Sequence, residues 1–315
     1  MWGFLGRRLL HSIWVLAAII VVSFLVIRLI PGDPVVQMLG LQATPENIAA
    51  VNEDLGLGLP MGQQITSFVQ RAFQGDLGTS IIKRAPVNDI VFDRLLPSVY
   101  LLLYATVLAL IISVPLGALS AIYRNRVPDQ IVRLTSMVSF AMPQFWLGLM
   151  LILLFAIQLD VLPSGGYGEG FGGILLHLTL PALTIGLYLA PQLMRTLRSS
   201  LIEAIDSDYV EAARSRGYRE SRVVGKLAMR NALVPLISVL SINIGFLISG
   251  TVIVEVVFQV PGLGALLVQS VLNRDYPVIQ GLILVFGAMV ILVNILADAA
   301  YAVVDPRVRA GMAAE

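Results

Sequence analysis

Six apolar segments, each long enough to cross the hydrocarbon core of a lipid bilayer, dominate this sequence of 315 residues. A membrane-spanning α-helix needs about 20 predominantly apolar residues, and the segments lie at residues 13–30, 98–123, 134–158, 174–194, 233–258 and 279–303. Lipid offers no partners for backbone N–H and C=O groups, so each segment must satisfy its own hydrogen bonds. The sequence therefore predicts an all-α, polytopic membrane protein with six transmembrane helices.

The composition supports lipid as the main solvent of this chain. Charged residues make up 13% of it, whereas soluble domains contain about a quarter. A net charge of +1, with basic residues dispersed among the segments, argues against a nucleic-acid partner. The chain has no cysteine, and His11 and His177 lack the spacing of a zinc-binding helix pair. We therefore predict no metal and no cofactor bound by this chain.

The first apolar segment follows Arg7 and Arg8 and superficially resembles a secretory signal. It is longer than the apolar region of a signal. It ends in Arg28-Leu29-Ile30-Pro31-Gly32-Asp33-Pro34 and not in a small-residue cleavage site. We therefore expect it to be retained as a span.

The apolar segments are interrupted by prolines, among them Pro115, Pro143, Pro181 and Pro191. A proline inside a helix removes one backbone hydrogen bond and clashes with the preceding turn. Neighbouring helices must compensate for that loss, so we expect kinked helices packed in a bundle.

The basic residues near the ends of the segments predict the orientation. Cytoplasmic loops carry an excess of Lys and Arg. One side holds Arg7, Arg8, Arg124, Arg126, Arg133, the loop at 195–230, Arg307 and Arg309, whereas the other holds only Arg71, Lys83, Arg84, Arg94 and Arg274. Both termini are therefore expected in the cytoplasm. We expect one membrane domain over residues 1–315, with a helical extracytoplasmic cap at 31–97 and a transmembrane core at 98–303.

Two short helices are predicted in the cap. Thr44-Pro45-Glu46 has the sequence of a helix start, with Thr44 as the capping residue. The second helix is predicted from an apolar stripe formed by Ile65, Phe68, Val69 and Phe73.

The cytoplasmic loop at 195–230 is also predicted to contain two short helices. Asp208 and Glu211 have the spacing of a capping box, which would start the first helix. Gly217 would end it, because glycine adopts the left-handed conformation at low cost. The second helix would begin near Ser221, with one apolar face formed by Val223, Val224, Leu227 and Ala228.

This loop resembles the EAA loop of ABC importer permeases. The resemblance is carried by Glu211-Ala212-Ala213, by Gly217 after three intervening residues, and by Asn231-Ala232-Leu233-Val234-Pro235. Further tracts at 28–34, 75–80, 261–264, 273–277 and 305–309 are similar to the inner-membrane permease of oligopeptide, dipeptide and nickel importers, specifically its dipeptide-permease B-type component. The stretch Arg219-Glu220-Ser221-Arg222 departs from the pattern, because it is more charged than a spacer requires.

The resemblance implies a type I ABC importer permease fold in a bacterial inner membrane. It also implies a homologous second permease subunit, two cytoplasmic ATPase subunits that bind ATP and Mg, and an extracytoplasmic substrate-binding protein. The loop would then dock on an ATPase as a coupling helix, through Asp208, Tyr209, Glu211, Ala212, Ala213, Arg216 and Gly217.

Polar and aromatic residues within the apolar segments are candidates for the lining of a translocation path. They are Trp146, Tyr188, Gln192, Asn243, Ser249 and Glu255. Hydrogen bonding between helices and close packing explain such residues equally well, so both interpretations stay open.

Three other functions compete with the permease interpretation. An ATPase would need a phosphate loop, but Gly225-Lys226 is followed by Leu227. An intramembrane protease could use Ser249 as nucleophile and His177 as base. However, residue 247 is leucine, where a rhomboid-like pattern has glycine. An ion-coupled transporter could use Glu255, Asp298 and Arg28. Arg28 lies near the outer end of its span, where it can reach the headgroups, and the two acidic residues lie near opposite faces and form no continuous relay.

The sequence leaves the cargo open. The family's commonest substrates are peptides, and the alternatives are glutathione and nickel chelates. The methionines are scattered as packing residues would be, and they indicate no direct handling of metal.

Overall fold

The computed structural model describes residues 14, 16–25, 35–36, 43–54, 59–80 and 82–304. Within these ranges every extended element is helical, apart from one isolated antiparallel bridge between Thr79 and Pro86. The all-α prediction is therefore confirmed. The motifs at 28–34 and 305–309, both termini and their basic residues lie outside the described residues.

The helices are labelled here in chain order. They are α1 Leu16–Leu25, α2 Pro45–Asp54, α3 Met61–Phe73, α4 Val87–Ile122, α5 Val127–Ala141, α6 Gln144–Leu151, α7 Gly170–Ile205, α8 Asp208–Ser215, α9 Glu220–Arg222, α10 Met229–Val257, α11 Leu263–Leu272 and α12 Tyr276–Val304. Two π-helical segments, Ile152–Gln158 and Val223–Ala228, continue α6 and join α9 to α10.

Four helices in the described part of the chain are long and apolar enough to cross a membrane, namely Val87–Ile122, Gly170–Ile205, Glu220–Ile248 and Tyr276–Leu296. A bent pair, Val127–Ala141 and Gln144–Gln158, supplies a fifth if it forms one span. The first predicted span is described only at α1, so the count of six stays a prediction.

The third predicted span is not the single helix that we expected over residues 134–158. The chain bends by 105° between α5 and the helix that follows. Met142 and Pro143 lie at the break, and both have extended backbone angles. The Pro143 ring disfavours a helical conformation at the residue before it, so the helix ends there. In contrast, α4 continues through Pro115 and α7 through Pro181 and Pro191.

Residues 99–260 and 292–304 belong to one of two compact units. The buried centre of this unit is α7, which packs against α4, α5, α6 and α10. At Gly186, a Cβ atom would lie 3.3 Å from the backbone nitrogen of Ala109 on α4. Small residues at such crossings let two helix backbones approach closely, as is common in membranes.

A buried carboxylate connects three helices of this unit. Asp129 on α5 is fully buried, and Arg198 on α7 donates to both of its oxygens over 2.8 Å. The hydroxyl of Ser120 on α4 donates to the same carboxylate over 2.5 Å, and the backbone N–H of Asn125 does so over 2.8 Å. The Asp129 carboxylate therefore fixes the ends of α4 and α5 against α7.

The second compact unit contains the described residues up to 98 together with residues 261–291. Its apolar cluster joins the start of α4 to α11 and α12, through Leu77, Val87, Ile90, Val91, Leu263, Leu266, Val278 and Leu282. Polar contacts complete the unit. The Ser80 hydroxyl donates to Asp275 over 2.5 Å, and the Ser98 hydroxyl accepts the N–H of Leu263 over 2.8 Å.

The predicted helices of the cap are α2 and α3. The N–H of Asn47 donates to the Thr44 hydroxyl over 3.2 Å, which confirms Thr44 as the cap of α2. On α3, Phe68 is buried edge-on against Phe24 of α1. Phe73 was wrongly assigned to the buried stripe, because α3 ends there, one turn beyond the residues that pack, and its side chain is 89% exposed.

We expect Asp129→Ala to destabilise the protein by about 3 kcal/mol, because it leaves the Arg198 guanidinium without its buried partner. The matched control is Asp206→Ala, which breaks an exposed ion pair with Arg124 at 3.0 Å. Exposed pairs are worth less than about 1 kcal/mol. Thermal unfolding of the purified chain in detergent measures both changes, and equal shifts for the two variants would contradict the assigned role.

Candidate functional site

The strongest candidate site is the elbow, defined as residues 206–222 between α7 and the helix that leads into α10. Its central helix, α8, runs from Asp208 to Ser215 as the loop pattern predicts. The predicted capping box is wrong, because Ser207 occupies the cap position and makes no side-chain cap hydrogen bond. Its hydroxyl donates instead to the carbonyl of Ala204 over 2.5 Å. Asp208 and Glu211 lie in the first turn, where negative charge favours a helix start.

The end of α8 confirms the prediction for Gly217. This glycine has a φ of +77°, in the left-handed region. The N–H of Tyr218 donates to the carbonyl of Ala213 over 3.2 Å, and the N–H of Gly217 donates to that of Arg214 over 2.9 Å. These two bonds form a Schellman motif, which closes the helix and reverses the chain.

The second short helix of the elbow is not a separate element. Glu220–Arg222 continues through the π-helical segment Val223–Ala228 directly into α10. The predicted apolar face is present, because Val223 and Ala228 are buried and Val224 and Leu227 are half-buried. The helix is therefore unbroken from residue 220 to residue 257.

The elbow presents an exposed groove of about 410 Å³. Ala213 and Val210 are buried beneath α8, whereas Ala212, Tyr209 and Arg216 face outward. The groove is lined by Tyr209, Ala212, Ala213, Arg216, Tyr218, Arg222, Lys226 and Leu227. The small Ala212 side chain leaves the floor open, so a partner surface can approach the α8 backbone.

Two contacts brace the turn, and the sequence analysis missed both. Arg214 donates to Glu220 through two bonds of 2.7 and 3.1 Å across Gly217. These hydrogen bonds raise the pKa of Arg214 and lower that of Glu220. The Arg222 guanidinium lies 4.9 Å from the centre of the Tyr218 ring. The unexpectedly charged stretch at 219–222 was the available signal, and these contacts account for the charges of Glu220 and Arg222.

The predicted path residues lie on α6, α7 and α10. Trp146 on α6 is 40% exposed and Tyr188 on α7 is 37% exposed. Gln192 lies one turn after Tyr188 and is half-buried. Asn243 on α10 donates to the carbonyl of Val239 in its own helix over 2.7 Å. Glu255 is fully buried, and the side chain of Ser249 lies outside the described residues.

Comparison with known families identifies the class. The family model described as "Binding-protein-dependent transport system inner membrane component" matches residues 113–310, and the one described as "Binding-prot-dependent transport system membrane comp, N-term" matches residues 1–103. The chain belongs to this family. It is a multi-pass inner-membrane permease subunit of an ABC importer.

Similar proteins extend over nearly the full length of the chain. The glutathione transport system permease protein GsiC of Pectobacterium atrosepticum is 39% identical over 303 residues, covering 96% of this chain and 97% of that protein. Its counterpart in Escherichia coli strain K12 is 37% identical over 309 residues, covering 98% and 99% respectively.

Solved structures share the fold. The MetNI methionine ABC transporter, in inward facing conformations, matches with a TM-score of 0.58 and 17% identity, over 69% of this chain and 96% of that one. An amino acid ABC transporter with histidines matches with a TM-score of 0.52 and 14% identity, over 68% and 94%. The type I importer permease fold is therefore confirmed.

We expect Gly217→Val to loosen the elbow, because a left-handed conformation costs a residue with a Cβ atom about 1–2 kcal/mol. An added Cβ at Gly217 meets no other atom, so the cost is conformational and not a clash. Gly217→Asn is the control, since asparagine tolerates this conformation. Limited trypsin digestion should cleave the elbow faster in the valine variant only. Equal cleavage of both variants would show that the turn does not hold the elbow.

Proposed function

We propose that this chain forms half of the translocation path of an importer for small peptides, including the tripeptide glutathione. The observation that carries the proposal is full-length similarity to permeases named for glutathione transport. Di- and oligopeptides share with glutathione a peptide backbone and free carboxylates, so the proposed cargo is a class and not one compound. Nickel chelates are the weaker alternative, because the relatives named above transport a peptide.

The elbow is the proposed coupling element. Its groove is exposed and basic. The helix α8 is short and closed by a defined turn, and the helix after that turn is continuous with α10. We assign docking on an ATPase subunit to Asp208, Tyr209, Glu211, Ala212, Ala213, Arg216 and Gly217. The groove residues Tyr218, Arg222 and Lys226 are added to that surface.

The proposed assembly contains this chain, a second permease, two cytoplasmic ATPases and an extracytoplasmic binding protein. ATP and Mg bind to the ATPases, which carry out hydrolysis, and this chain has no catalytic role. Both termini and the loop at 195–230 face the cytoplasm, and residues 31–97 form an external cap on one membrane domain. Closure of the ATPases moves the elbow, and α7 and α10 move with it. This movement closes the translocation path to the cytoplasm and opens it to the outside.

The proposed path runs along the candidate residues on α6, α7 and α10. Trp146 and Tyr188 offer exposed aromatic surfaces, and Gln192 adds an amide on the same helix as Tyr188. Asn243 and Glu255 are the proposed path residues on α10. Ser249, on the same helix, is also proposed, from the sequence pattern alone.

ATP-driven uptake tests the proposed function. Reconstituted with its partner subunits and a binding protein loaded with labelled glutathione or a dipeptide, the wild-type complex should accumulate cargo only with ATP. Gly217→Asp should abolish uptake, because its carboxylate would pair with basic side chains of the groove. Gly217→Asn has nearly the same shape without the charge and should transport normally. Uptake that persists without the ATPases would refute the proposal.

Cysteine labelling tests the proposed orientation, because the natural chain contains no cysteine. Phe73→Cys in the cap should react with a membrane-impermeant maleimide added outside spheroplasts. Ser221→Cys in the elbow is also exposed, but it should react only after the membrane is permeabilised. The reverse pattern would invert the topology and remove the elbow from the ATPases.

A further inference from the structure

One face of α7 is both exposed and polar. Between residues 178 and 201, the only exposed side chains of α7 are Tyr188, Arg195 and Ser199, and half-buried Gln192 lies on the same face. Successive members are separated by four, three and four residues, which places them along one stripe of a helix. Polar side chains in a membrane-spanning helix face a protein interior or a water-filled cavity more readily than lipid. This stripe therefore has the character of a path lining.

A pocket of about 320 Å³ lies beside the stripe, between α5, α7 and the end of α4. Three arginines contribute to its wall, namely Arg133, Arg195 and Arg198. Met137, Phe140 and Met194 provide the apolar part of the lining. Small-molecule sites begin at about 300 Å³ and combine apolar walls with a few polar groups, so the pocket has the size and chemistry of a ligand site.

The pocket carries more positive than negative charge. Arg198 is committed to Asp129 through two hydrogen bonds, and Arg133 lies 3.6 Å from the same carboxylate. One buried carboxylate thus serves two guanidinium groups. No carboxylate in the described part of the chain forms an ion pair with Arg195.

The Arg195 guanidinium is placed at an aromatic wall. It lies 6.0 Å from the centre of the Phe140 ring, and that ring stacks on Tyr188 with centroids 6.3 Å apart and planes at 17°. The two rings connect the pocket to the polar stripe. An anion bound by Arg195 would therefore have an aromatic surface beside it for the apolar part of the same molecule.

We infer that Arg195, assisted by Arg133, binds the free carboxylate of the translocated solute in this pocket. The assignment rests on the proposed function and names a chemical class, a small solute with an unblocked carboxylate. Arg198 holds Asp129 and the helix ends in place and is a positioning residue. An anionic phospholipid headgroup has similar chemistry, but the polar stripe that continues to Gln192 and Tyr188 favours a solute in water.

The test compares one cargo with and without its carboxylate. Labelled dialanine and dialanine amide are supplied, with the binding protein held constant, to the reconstituted complex containing wild-type chain, Arg195→Gln or Arg195→Lys. Loss of one hydrogen bond to a charged group weakens a binding constant by about tenfold. We expect Arg195→Gln to lower the acid-to-amide uptake ratio about tenfold, and Arg195→Lys to restore part of it.

The matched control is Arg126→Gln, which removes an exposed arginine near the start of α5 that is not among the pocket's lining residues. It should leave the uptake ratio unchanged. An equal fall in acid and amide uptake in Arg195→Gln, or the same ratio change in Arg126→Gln, would overturn the inference. Membrane amounts of each variant are measured in parallel, so that poor folding is not mistaken for lost recognition.

Vesicles with and without phosphatidylglycerol distinguish a lipid site from a solute site. The pocket holds lipid, and the inference fails, under three joint results. Wild-type uptake requires phosphatidylglycerol, Arg195→Gln abolishes that requirement, and the acid-to-amide uptake ratio stays constant. If the wild-type complex transports both cargoes and the ratio does not depend on Arg195, only this inference fails. If it transports neither peptides nor glutathione, the proposed function itself fails.

Discussion

The buried carboxylate of Asp129 is the interaction on which the arrangement of α4, α5 and α7 depends. A carboxylate removed from water is costly unless charge and hydrogen bonds compensate for it, and Arg198, Ser120 and the N–H of Asn125 together provide this compensation. The same contact lies two turns before the end of α7, where the elbow begins. Fixing α7 at this point gives the elbow a rigid support. It also fixes one wall of the pocket lined by Arg133, Arg195 and Arg198.

The elbow combines a strictly defined turn with weak surface contacts. The Schellman motif at Gly217 is formed by backbone atoms and requires a left-handed residue. The ion pair between Arg214 and Glu220 is exposed, so solvent screens most of its energy. The backbone therefore sets the shape of the elbow, and the charged side chains set what that shape can bind. A helix that continues without interruption into α10 transmits displacement better than two helices joined by a loop.

Local and periodic features of the sequence predicted the apolar helices, the cap at Thr44 and the turn at Gly217, because each depends on neighbouring residues alone. Features decided by competition or by distant residues were missed. Ser207 displaced Asp208 as the cap, and Pro143 turned one expected span into two helices at 105°. The pairing of Asp129 with Arg198 joins residues 69 positions apart, and no spacing rule predicts it. In the candidate site, the position of the elbow was predictable from the sequence. Its groove, and the contacts of Arg214 with Glu220 and of Arg222 with Tyr218, became visible only in the three-dimensional structure.

Arg195 illustrates why charge position alone cannot separate topology from recognition. In the sequence it is one of several basic residues from which the cytoplasmic side is predicted, and every one of them supports that prediction equally. What distinguishes it is its environment, since Arg198 is neutralised by Asp129 and Arg124 by Asp206, whereas Arg195 lies on a polar stripe beside an aromatic wall. A guanidinium whose N–H groups are not engaged by a protein carboxylate can bind a ligand carboxylate through two parallel hydrogen bonds. In the proposed assembly, where an external binding protein makes the first selection, such a residue would add a second, weaker selection along the proposed path.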